Sequence, residues 1–189
     1  GFEIDGIEQE EWIIKEIKKS NAQWIILFGH HPFKSSGFHG NATDRLKQFY
    51  NNIVSLNKVD LILSGHDHDI QHIKNKNYPH CFVSGTGGKT RYMPGVIRKY
   101  LLNNELQYYS EKLGCLNIEV YKTHLNVNIY TTDYNLEHNL DYMFKVNKKK
   151  IIYDFLVHSS IPPSYSLTLL NPININFLAN FLDASQVIE

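Results

Sequence analysis

Trp24-Ile25-Ile26-Leu27-Phe28-Gly29-His30-His31-Pro32 and Val59-Asp60-Leu61-Ile62-Leu63-Ser64-Gly65-His66-Asp67-His68 are two runs built to one plan. Each is a β-prone apolar stretch that meets a glycine and then histidine. Such short apolar runs read as strands of the kind buried on both faces of a sheet, and in α/β sheets sites are built at strand C-termini. The first strand is expected over residues 23–28 and the second over Val59–Leu63. Neutral imidazole nitrogen is a good ligand for zinc, iron, nickel and copper, so both strand ends offer candidate metal ligands. His66 and His68 are two apart. On extended backbone they share a face, and on a tight loop they can diverge toward two metals.

Around these strands the pattern is that of a βαβ unit. Residues 5–19 read as a helix, with Ile7, Ile13, Ile14 and Ile17 on one stripe and acids leading lysines along it. Residues 29–41 carry Gly29, Pro32, Gly37 and Gly40 and read as a loop. A second helix is expected at about 43–57, with Leu46, Phe49, Tyr50 and Ile53 at helical spacing and Asn41 or Thr43 as its cap. Beyond Gly65 the segments 70–74, 80–84, 116–121, 124–130 and 142–147 are shorter and aromatic-rich and read as antiparallel strands. Tyr121-Lys122-Thr123-His124 reads as a hairpin turn. Residues 86–112 read as one long irregular stretch. From about residue 150 the chain is apolar without a period and broken by Pro162-Pro163 and Pro172.

Composition sets the outer bounds. The chain has 189 residues, 42% hydrophobic and 20% charged, with zero formal net charge and a pI near 7.3. That is ordinary for a globular domain and carries no electrostatic footprint for nucleic acid. The run Lys148-Lys149-Lys150 reads as a solvated turn, and no apolar stretch has the length of a membrane span. The opening Gly-Phe-Glu-Ile-Asp lacks the basic and apolar regions of a signal peptide and an initiator methionine, which suggests a fragment or processed chain. Cys81 and Cys115 read equally as a pair or as two free thiols. Asn41-Ala42-Thr43 is a glycosylation sequon whose residues also suit a helix cap. Trp12 and Trp24 are expected in the core.

Gly29-His30-His31-Pro32, Gly65-His66-Asp67-His68-Asp69-Ile70-Gln71 and Ser84-Gly85-Thr86-Gly87 together resemble the later motifs of the calcineurin-like metallophosphoesterases. The nearest likeness is to the purple, tartrate-resistant-type acid phosphatases, over roughly residues 7–147. The resemblance implies part of a four-layer αββα sandwich with mixed sheets, occupying residues 1–150, followed by an extension over 151–189. It implies that His30 and His66 ligate one metal and His68 the other. It also places His39, in Phe38-His39-Gly40, near the leaving group as a proton donor or substrate-oxygen ligand. The implied reaction is two-metal hydrolysis of a small phosphate ester, with iron, zinc or manganese all open. The Ser84–Gly87 turn is expected beside the site, where glycine lets backbone approach closely.

Other readings of the same residues stand beside these. His31 reads as supporting or steric rather than ligating. Asp67 and Asp69 either orient ligand imidazoles or form an Asx turn. His72, His80, His124, His138 and His158 have no motif context and read as structural or exposed. Gly87-Gly88-Lys89-Thr90 lacks the glycine spacing and following helix of a phosphate-binding loop. The family's Asp-x-His, Gly-Asp and Gly-Asn-His motifs are absent from the sequence. Two cations close together repel, and three neutral imidazoles supply no offsetting charge. The chain is therefore expected to need an N-terminal segment to complete the site and to cover a bare sheet edge. A nucleotidase or phosphodiesterase on the same scaffold, and a non-catalytic truncated remnant acting as a binding module, are the alternative readings.

Overall fold

The computed structural model describes residues 2–92, 105–132, 137–148 and 173–175. His158, Lys149, Lys150, Pro162, Pro163 and Pro172 lie outside the described residues. The chain opens with helix α1 (Phe2–Lys19), strand β1 (Ile26–Gly29), helix α2 (Asp44–Val54) and strand β2 (Leu61–Ser64). This is the strand–loop–helix–strand order read from the sequence, and β1 and β2 pair in parallel. β3 (Ile70–Ile73), β4 (His80–Ser84) and β5 (Leu106–Ser110) complete a mixed five-stranded sheet in the order β1-β2-β4-β3-β5. A second, antiparallel sheet has the order β8-β7-β6-β9, from β6 (Gly114–Val120), β7 (His124–Thr132), β8 (His138–Asn147) and β9 (Ile173–Ile175).

Three layers follow from where the apolar side chains go. α2 puts Phe49, Tyr50 and Ile53 on one buried face, as their spacing requires, and with Ile17 of α1 they pack on Ile62, Ile73 and Cys81 of the mixed sheet. The opposite face of that sheet presents Leu61, Ile70 and Phe82 to Leu116, Ile118, Leu125, Val127, Ile129 and Val146 of the antiparallel sheet. Fully burying a side chain such as Phe82 stabilises by about 1.5–3 kcal/mol. The described residues thus form an α/β/β stack, and the mixed α/β sandwich read from the sequence is the fold observed. Asn57 follows α2 at φ +55°, a left-handed position that asparagine tolerates just past a helix end.

Several local expectations are corrected. β4 pairs antiparallel with β3 but parallel with β2, so it belongs to the βαβ half as much as to the meander. β5 emerges from the stretch read as irregular, because β3 has an open edge that Leu106–Ser110 can pair. β1 is not buried on both faces among the described residues. It is the edge of its sheet there, and Phe28 is 65% exposed. Trp12 is 62% exposed rather than in the core, since it lies off the Ile13-Ile14-Ile17 stripe of α1. Lys148 is not a solvated turn residue. Its Nζ donates to both carboxylate oxygens of Asp60 (3.0 and 2.9 Å) and lies over the Trp24 ring, tying the antiparallel sheet to the start of β1. Thr43 holds the N-cap position of α2 but makes no side-chain cap bond, and Asn41 instead accepts from the Ser35 N–H. Cys81 and Cys115 are both free, one buried and one exposed.

Candidate metal centre

Parallel pairing of β1 with β2 sets Gly29 beside Ser64, so the two histidine turns leave the sheet side by side. The Gly65 N–H donates to the His30 carbonyl at 3.0 Å and joins them. His30 Nε2 and His66 Nδ1 lie 3.2 Å apart. His31 joins them: one ligand nitrogen from each of His30, His31 and His66 falls within 4.8 Å of the others. His66 reaches this position from φ +66°, a conformation costing a non-glycine residue about 1–3 kcal/mol. The ring of His39 stands 4.3 Å from that of His66, centroid to centroid. His68 leaves the same loop but is not one of this group of three, and its carbonyl accepts the Arg91 N–H at 3.0 Å.

The loop carrying His39 is tied to the segment carrying His66 and His68. Asp67, fully buried, accepts the His39 N–H at 2.9 Å on one oxygen and the Ser35 hydroxyl on the other. Its hydrogen bonds therefore run across to residues 35–39 rather than closing an Asx turn. Gln71 accepts the Ser36 N–H at 2.7 Å and donates to Ser35 Oγ at 3.0 Å and to Asp69 at 2.6 Å. Gly37 is required by the close approach: a Cβ there would lie 2.5 Å from the Asp67 carboxyl carbon. Gly85 is pressed harder still, since its Cβ would lie 1.8 Å from the Asp67 carbonyl oxygen. The Ser84–Gly87 turn does pack beside the histidine loop, as glycine permits.

Burial and crowding favour the neutral form of His66 and His31. Burial first, then the nearby rings of His31, His39 and His30, push His66 down to about 4. His31 is lowered by burial and by His30 and His39. Near pH 7 the lone pairs of His66 and His31 are therefore available to a metal. The donor set fits one ion of the zinc, iron, nickel or copper kind. Behind them burial raises the Asp69 carboxyl to about 7, against the opposing hydrogen bond from Gln71.

Arg91 was not legible in the sequence. It lies in the stretch read as irregular and belongs to no motif, yet its Nη1 is 2.9 Å from His39 Nε2 and its guanidinium lies 4.5 Å over the Phe38 ring. Of the remaining histidines, His72 is buried between the sheets, 3.0 Å from the Tyr142 hydroxyl and 2.8 Å from His80 Nδ1. His124 stacks on Tyr121 at the β6–β7 turn, and His138 is exposed on β8.

Residues 2–69 match the family model described as calcineurin-like phosphoesterase. The matched residues carry both histidine turns, at the ends of the two parallel strands, so the likeness to calcineurin-like phosphoesterases falls on the candidate site itself. The chain's likeness is to the purple acid phosphatases. Purple acid phosphatase 4 of Arabidopsis thaliana is 30% identical over 125 residues, 66% of this chain and 36% of the relative. Tartrate-resistant acid phosphatase type 5 of Sus scrofa is 30% identical over 42% of this chain and 23% of its own length. The chain thus spans about a third or less of the curated relatives it matches. Among solved structures, GAP50, the anchor in the inner membrane complex of Plasmodium, shares the fold with a TM-score of 0.61 at 20% identity, over 76% of this chain and 42% of that one. Phosphoesterases of this family use binuclear metal centres.

Proposed function

We propose that this chain supplies the histidine side of a two-metal centre that hydrolyses small phosphate esters in the manner of an acid phosphatase. The observation that carries the reading is the convergence of His30, His31 and His66 nitrogens within 4.8 Å at the ends of two parallel strands. His30 and His66 would hold one ion, with His31 beside them, and His68 the second. The carboxylates that offset the charge of two ions would come from sequence outside these residues, because Asp67 and Asp69 are turned into the scaffold. When bound, the metals supply Lewis-acid stabilisation of the charge that develops on phosphate oxygens.

The chain's own residues do the rest. His39 is held by its backbone to Asp67, and arginine can only donate, so His39 Nε2 accepts and the ring proton resides on Nδ1. That N–H is the one that can donate a hydrogen bond to a leaving-group oxygen as negative charge develops there. The test is metal content by mass spectrometry, with p-nitrophenyl phosphate turnover, on the intact protein and its His66→Ala variant. The reading expects both bound metal and turnover to be lost in the variant. Retention of parental metal content and turnover by His66→Ala would overturn it.

A further inference from the structure

Arg91 stands beside His39 of the histidine group, and no acid among the described residues neutralises its cation. Its side chain has one hydrogen-bond partner among the described residues, the His39 imidazole at 2.9 Å, and one face contact, Phe38 at 4.5 Å. No ion pair joins it to a carboxylate among the described residues. Its backbone is nevertheless fixed, because its N–H donates to the His68 carbonyl. A guanidinium carries five N–H donors in a planar fork, and one donor is used here. The neighbouring imidazoles carry no negative charge and are not counter-ions to it. A metal bound by them would repel Arg91 unless an anion lay between the two.

We propose that Arg91 is a substrate-binding residue of this site, its guanidinium holding oxygens of the substrate's phosphate group against the histidine cluster. The inference rests on the phosphoesterase reading above and adds the residue that recognises the phosphoryl oxygens. Phosphate is the matching ligand: it presents several oxygens at the spacing of the fork and carries the charge that both the arginine and a metal require. Stacking on exposed Phe38 pre-organises the guanidinium, so less freedom is lost when the anion arrives. Arg91 transfers no proton and makes no bond. It binds and orients.

Isothermal titration of inorganic phosphate into the metal-loaded intact protein tests this, with metal content measured on every variant. Arg91→Ala is expected to weaken phosphate binding by about 10- to 100-fold, the range of a charge-assisted hydrogen bond, with metal content unchanged. Arg91→Gln keeps a donor for His39 but no charge, so it separates a clamp from a mere prop for the imidazole. A clamp predicts that Arg91→Gln binds phosphate as poorly as Arg91→Ala and that Arg91→Lys recovers part of the loss. Phosphate affinity within twofold of the parent in Arg91→Ala, or full recovery in Arg91→Gln, overturns the inference and leaves the phosphoesterase reading intact. A parent that binds neither metal nor phosphate overturns both.

Discussion

Replacing Gly85 by alanine puts the close approach of two backbones to the test. A Cβ at this position would lie 1.8 Å from the Asp67 carbonyl oxygen and 2.8 Å from the Asp67 carbonyl carbon. Ordinary carbon–oxygen contacts begin at about 3.3 Å, so the two backbones must part by about 1.5 Å. Neither side can yield as a flexible side chain would, because both partners are main chain. The movement stretches the bond from the Gly85 N–H to the Asp69 carbonyl, now 3.1 Å, and shifts Asp67, which holds Ser35 and His39. Overpacking costs about 1–3 kcal/mol and a lost backbone hydrogen bond about 1 kcal/mol. Gly85→Ala should therefore lower stability by about 2–4 kcal/mol, which for a chain of this size lowers the melting temperature by roughly 5–15 °C. Gly88→Ala is the control, since nothing lies within 4 Å of its added Cβ, and it should change stability by less than about 0.5 kcal/mol. Thermal unfolding followed by circular dichroism reads both. A Gly85→Ala midpoint equal to that of Gly88→Ala would refute the reasoning.

Acid should act through His72. Burial first, then His80 and Lys74, press its folded-state value down to about 3 from the ordinary 6.5. The unfolded chain takes up this proton near pH 6.5 and the folded chain does not until about pH 3. Stability contributed by a neutral His72 is therefore complete above pH 6.5 and is lost on acidification through that window, with a slope of up to about 1.4 kcal/mol per pH unit. Urea unfolding of the parent and of His72→Gln at pH 7 and pH 5 should show the variant gaining relative to the parent at the lower pH; a constant difference would exclude the effect. Lys148→Met should destabilise by about 2 kcal/mol, since it leaves the Asp60 carboxylate, 7% exposed, with the Ile25 N–H as its one remaining donor among the described residues. Adding Asp60→Asn to that variant should recover part of the loss, and a double-mutant cycle with no coupling would count against the pair.

The parts of the fold legible in the sequence are those where one physical signal dominates. An apolar run between a helix-spaced stripe and a glycine had few alternatives, and β1, α2 and β2 formed in that order. The two histidine turns met because parallel pairing in register leaves both strand ends at one edge of the sheet. The parts that are not legible depend on contacts distant in sequence. Leu106–Ser110 has no strong strand signal of its own and becomes a strand because β3 offers it unpaired backbone. Trp12, expected in the core, is turned to solvent by its helical angle. Arg91 gave no signal at all, since its relation to His39 crosses 52 residues.

The stretch Gly65-His66-Asp67-His68-Asp69-Ile70-Gln71 does two jobs at once. Asp67, Asp69 and Gln71 are buried, and each sends its side chain into a polar spine that grips residues 35–39. His66 and His68, at the intervening positions, are only partly buried. The segment bends after β2, with His66 at φ +66°, and the bend turns the acids inward while the two imidazoles stay partly exposed, so scaffold and nitrogen donors do not compete for space. The same spine fixes His39, whose own loop has Gly37 pressed against Asp67 and Asp69. The acids that a metal site would ordinarily recruit are thereby committed to structure, and the raised Asp69 carboxyl shows how far burial has removed one of them from solvent. That division of labour explains why the imidazoles gather without a carboxylate among them. If the proposed centre of two cations forms on this scaffold, its negative charge has to come from ligands other than these carboxylates.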